Sequence, residues 1–122
     1  YRVLKDDGIV VITCPDLQGV CEAVVNDRLL EPLYETPAGD KISPIDILYG
    51  YRKDVAKGNE YMAHKGGFTY TSLNSSFFEA GFKARYGGRF PYQGAPNLYL
   101  VAFKQKVPEE EIKKIADPFF PS

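Results

Sequence analysis

The sequence predicts an α/β chain: one buried strand, then helices, then an antiparallel pair of strands. Three stretches predict it. Ile9-Val10-Val11-Ile12 is an unbroken β-branched run between Gly8 and Pro15. From Asp16 to Ala80, apolar residues recur at helical spacing, divided by proline and glycine. Near the end, Leu98, Leu100 and Ala102 alternate with Tyr99, Val101 and Phe103, so that strand is apolar on both faces.

The first strand reads as central. A polar turn, Lys5-Asp6-Asp7-Gly8, feeds it and Pro15 stops it; a run apolar on both faces belongs inside a sheet, usually a parallel one. Asp16 is placed to cap a helix with Leu17, Cys21, Val24 and Val25 on its apolar stripe, extended by Leu29 and ended before Pro32. Residues 31–43 read as a loop. Ser43 and Pro44 start a second helix, with Ile45, Leu48, Tyr49, Arg52 and Val55-Ala56 on one face. Gly50 weakens it and Gly58 ends it. Residues 58–68 form a second loop.

A third helix runs from about Thr71 to Ala80, capped by Thr69 or Thr71, with Leu73, Phe77 and Ala80 inward. Gly81 then takes a left-handed position with Phe82 as the apolar contact beyond it. Residues 83–90 form a strand, interrupted or bulged at Gly87-Gly88. A turn at residues 91–96 joins it to the strand at 97–104, so the two are antiparallel. Residues 108–116 form a short helix with acids first and lysines later, as the macrodipole favours. The tail at 118–122 either docks its two Phe rings or moves freely. The division expected is residues 1–107 as the main body and 108–122 as a helix and tail.

With 122 residues the chain is at most one domain, and 44% hydrophobic with 25% charged fits a globular chain. A net charge of −1 gives no electrostatic reason to expect nucleic acid or an anionic membrane. No apolar run reaches the roughly 18 residues that span a bilayer. The start, Tyr1-Arg2, is not a signal peptide; with no initiator Met it reads as a piece of something longer, and a cytoplasmic one. Cys14 and Cys21 are the only cysteines and read as buried small hydrophobes in a reducing compartment. Two thiols with a distant His64 do not make a metal site.

Three separated motifs carry a resemblance. Arg2-Val3-Leu4-Lys5-Asp6-Asp7-Gly8 before the strand and Pro15-Asp16 resembles the helix end, turn and fifth strand of class I S-adenosylmethionine-dependent methyltransferases, where the usual form is RVLKPGG. Gly67-Phe68-Thr69, Leu73 and Ala80-Gly81-Phe82 resemble that family's last crossover helix. The closing antiparallel pair is similar to its sixth and seventh strands, the seventh inserted between fifth and sixth. The resemblance covers roughly residues 1–104. It implies a partial Rossmann-like sheet, the substrate side of the domain with the cofactor-binding half absent. S-adenosylmethionine would then belong to the intact enzyme and not to this chain alone, and no cofactor-binding residue is carried over.

The resemblance implies a methyl acceptor, of unknown kind, at the carboxyl ends of the strands, approached by Cys14-Pro15-Asp16 and loop 58–68. No catalytic residue is assigned. His64 is the candidate base, as the one side chain titrating near neutrality, and Tyr51, Arg52, Tyr61 and Lys65 are candidate substrate contacts beside it. Each also has a plainer reading: loop histidine, solvated basic face, packing tyrosines. Asp16 reads as a helix cap. Removing the fourth strand would leave residues 9–14 as a bare edge, so self-association through that strand is expected. The rival reading is a non-catalytic partner subunit that keeps only the scaffold.

Overall fold

The computed structural model describes residues 1–58 and 66–121, the side chains of Asp54 and Val55 apart. It is mixed α/β with a small antiparallel sheet. In chain order the elements are β1 (Ile9–Pro15), α1 (Leu17–Val25), β2 (Tyr34–Glu35), β3 (Lys41–Ile42), α2 (Pro44–Tyr49) and α3 (Arg52–Ala56), then α4 (Tyr70–Ala80), β4 (Ala84–Arg89), β5 (Asn97–Phe103), α5 (Glu109–Ala116) and a 3-10 turn at Asp117–Phe119. Among the described residues, no helix is long and apolar enough to cross a membrane.

The main sheet has the order β1-β5-β4, and β5 is antiparallel to both neighbours. β1 and β4 therefore run parallel to each other on either side of it. β5 is the central strand, with Leu98, Leu100, Val101, Ala102 and Phe103 all buried. One face of the sheet packs Val101, Phe103 and Ala84 against Ile112 and Ala116 of α5. The other packs Leu98, Leu100, Ile12 and Cys14 against Leu73 and Phe77 of α4. The tail docks: Phe120 stacks 4.9 Å from Phe90 and meets Tyr86 and Tyr99, while Phe119 stays 44% exposed.

The local signals hold where they are caps. Asp16 caps α1, with its Oδ1 accepting the Gln18 N–H at 3.1 Å. Thr69 caps α4. Gly81 ends α4 at φ 111°, the Phe82 N–H bonds the Phe77 carbonyl at 3.2 Å, and the two rings touch. This is a Schellman ending.

Several expectations need correction. β1 lies at the edge of the sheet, as expected where no fourth strand flanks it, but it is not buried on both faces: α5 reaches only its Ile9 end, so Val11, Thr13 and Pro15 are exposed on that face. The α1 helix ends at Val25, because Asp27 turns to φ 60°, so Leu29 lies outside it. Its buried residues are Val20 and Ala23, with Cys21 exposed; Gly19 lets the helix lie close to the turn before β5, where a Cβ on Gly19 would come within 2.9 Å of Pro96. Residues 31–43 are not all loop, since β2 and β3 pair there as a hairpin too short to leave a periodic signal. The second helix is broken into α2 and α3 by Gly50 at φ 99°. Ala80 is exposed. Finally, β4 has no bulge: its register runs unbroken from Ala84 opposite Phe103 to Arg89 opposite Leu98. Gly87 answers a close approach instead, because a Cβ there would collide with the Tyr99 carbonyl oxygen.

Candidate functional site

Because β1 and β4 are parallel, their carboxyl ends reach the same edge of the sheet, beside the start of β5. Asp16 follows β1 and Arg89 ends β4. The Arg89 Nε–H donates to Asp16 Oδ2 at 2.6 Å, and its second nitrogen donates to Glu22 at 3.1 Å. Asp16 is 2% exposed. Both of its oxygens are therefore committed, one to the helix cap and one to the guanidinium. Hydrogen bonding to Asp16, and secondarily to Glu22, pushes the Arg89 pKa up. A cavity of about 540 Å³ lies over this pair, lined by Gly19, Glu22, Asn26, Arg28, Arg89 and Pro96 among others.

A second cavity at the carboxyl end of β1, about 560 Å³, has a different character. Three chain segments supply its described walls: Cys14, Pro15 and Leu17; Ile47 to Tyr49 of α2; and Gly66 to Phe68. Phe68 forms a parallel bridge with Asp16, and the Leu17 N–H donates to its carbonyl at 3.0 Å. Burial, and then the charge of Asp16, pushes the Cys14 thiol pKa up. The thiol stays protonated near neutrality and is a poor nucleophile.

Tyr51 and Arg52 meet at a third cavity, about 470 Å³, with Lys41, Lys53 and Asp46. The Tyr51 hydroxyl donates to Asp40 Oδ1 at 3.0 Å. The Asp46 carboxylate accepts the Ser43 N–H at 2.9 Å and the Arg52 N–H at 3.0 Å, so one side chain caps α2 and ties down the start of α3. Tyr61, His64 and Lys65 lie outside the described residues. Among the described residues, no group of three or more His, Cys, Asp or Glu is placed to hold a metal ion.

Sequence reasoning missed Arg89 and Asp46. Asp46 carried a signal, since Ser43-Pro44-Ile45-Asp46 has the spacing of a capping box. Arg89 carried none, because its partner is 73 positions away.

No protein-family model matches this chain, and no curated protein or solved structure does.

Proposed function

We propose that this chain is the C-terminal, acceptor-side part of a class I S-adenosylmethionine-dependent methyltransferase, with the cofactor held by a segment outside this sequence. The observation that carries the reading is the strand order β1-β5-β4, with β5 running antiparallel between two strands that are parallel to each other. It is the order the resemblance implies for fifth, seventh and sixth strands of a partial Rossmann-like sheet. The crossover helix α4 leading into β4, and cavities at the carboxyl edge, support it further.

In this reading the described residues take no part in holding the cofactor. Gly87 and Gly88 are inside β4, facing Tyr99 and Leu100. Gly66 and Gly67 line an apolar cavity, and none of its described lining residues is a carboxylate that could hold ribose hydroxyls. In this reading S-adenosylmethionine would supply the methyl group from another segment, outside these residues. Their part is to seat the acceptor and exclude water, so that a bimolecular transfer becomes an oriented one. The open edge of β1 favours a second reading, a partner subunit without catalysis.

The test is a calorimetric titration with S-adenosylhomocysteine, run on the 122-residue chain and on the complete product of its reading frame. One-to-one binding by the longer protein, with no heat from the folded shorter chain, is expected. No binding by the longer protein refutes the reading. Binding by the shorter chain overturns the assignment of the cofactor site to another segment.

A further inference from the structure

The geometry points to a binding site for a neutral, ring-bearing small molecule in the cavity at the carboxyl end of β1. That this molecule is the methyl acceptor rests on the methyl-transfer reading; the binding site itself does not. At about 560 Å³ the cavity falls in the range of small-molecule sites, roughly 300–1,000 Å³.

Its lining sets the ligand class. Cys14, Leu17, Ile47, Leu48 and Phe68 supply apolar surface, and none of the described lining residues is charged. Three further cavities each carry at least four charged side chains. An ion placed here would lose its hydration with no partner in return, so a neutral ligand is favoured. Tyr49 and Phe68, 65% and 40% exposed, sit at the rim with rings available for stacking.

Gly66 and Gly67 give the second argument. Neither is at positive φ, so the backbone does not require glycine at either position. A Cβ on Gly66 would meet nothing within 4 Å, and one on Gly67 would lie 3.5 Å from Leu17 Cδ2, itself a wall of the cavity. The missing side chains leave this space open, and a larger residue at Gly67 projects into it.

N-phenyl-1-naphthylamine, a neutral fluorescent probe, tests the site on the 122-residue chain. Saturable one-to-one binding is expected, with 8-anilinonaphthalene-1-sulfonate binding at least about tenfold more weakly because of its charge. Gly67→Val should weaken the neutral probe by about tenfold or more at unchanged circular dichroism. Should that variant not fold, Tyr49→Ala, at an exposed position, reads the same wall through a weakening of severalfold. Absence of saturation, equal binding of the sulfonate, or an unchanged affinity in the folded wall variants overturns the proposal. The cofactor titration separates the two readings. Probe binding with no cofactor binding by the longer protein keeps the site and removes its acceptor role; the reverse result removes the site alone.

Discussion

Replacing Arg89 by alanine should expose how much of the carboxyl edge depends on one ion pair. Asp16 is almost wholly buried, and among the described residues Arg89 is the one side chain that bonds its Oδ2, at 2.6 Å. Removing one partner of a buried pair costs about 3–5 kcal/mol, because a charge is left buried and unpaired. Two features lower that figure here. Arg89 is 39% exposed, so water reaches the vacated position, and Oδ1 keeps the Gln18 N–H. The expected loss is about 2 kcal/mol, or about 8 °C in melting temperature for a domain of this size. The bond from Arg89 to Glu22 adds little, since Glu22 is 57% exposed; Glu22→Gln should cost under about 0.5 kcal/mol.

The second half of the cycle is decisive. Asparagine caps a helix about as well as aspartate and carries no charge. Asp16→Asn combined with Arg89→Ala should therefore recover at least about 1 kcal/mol over Arg89→Ala alone. Urea melts followed by circular dichroism measure all four species. A loss below about 0.5 kcal/mol in Arg89→Ala, or a double variant no more stable than the single one, refutes the burial argument.

Gly87→Ala should destabilise by at least about 2 kcal/mol, because the new Cβ meets the backbone of β5 and the ladder must open. Gly88→Ala, whose nearest neighbour is the Phe90 ring at 3.6 Å, should be close to neutral in the same urea series. Burial raises the pKa of Cys14, Tyr34 and Tyr70 in the folded chain. The unfolded chain thus releases these protons first, so their stabilisation is complete at neutral pH and falls as pH rises through about 9 to 11, which urea midpoints across that interval would show. The 122-residue chain should self-associate at micromolar concentration through β1, and Val11→Lys should abolish this; sedimentation showing the parent chain as monomer alone would count against edge pairing.

What the sequence made legible is local. A cap needs a side chain within a few residues of its helix, and Asp16, Ser43-Pro44, Thr69 and Gly81 were all readable. What it hid was set by distance. The pairing of Asp16 with Arg89 crosses 73 positions. Gly87 looks like a bulge until the Tyr99 carbonyl arrives from the next strand. The larger apolar side chains of α1 point to a stripe through Cys21, Val24 and Val25, whereas the buried residues are Val20 and Ala23, and Gly19 is the position that lies close to Pro96. The run Ile9–Ile12 expressed a demand for burial without saying how much of it α4 and α5 would meet. Of the candidate contacts, Tyr51 and Arg52 share a cavity because they are adjacent in the chain, but the apolar cavity joins three segments up to 54 positions apart (Cys14 to Phe68) and left no mark in any one of them.

The hydrogen-bonding parity of β1 links its open edge to that cavity. The Asp16 N–H bonds the Pro96 carbonyl, and the register pairs Val10 with Ala102, Ile12 with Leu100 and Cys14 with Leu98. The even-numbered residues therefore direct their backbone groups at β5. Ile9, Val11, Thr13 and Pro15 direct theirs outward, and Pro15 has no N–H to offer. Just beyond, the outward Leu17 N–H is already bonded to Phe68. A strand joining this edge can pair along Ile9 to Thr13 but meets Phe68 at the end, where Phe68 is also a wall of the apolar cavity. Whatever covers the edge thus ends against the same residue that shapes the site, and edge occupancy and ligand binding share Phe68 as their point of contact.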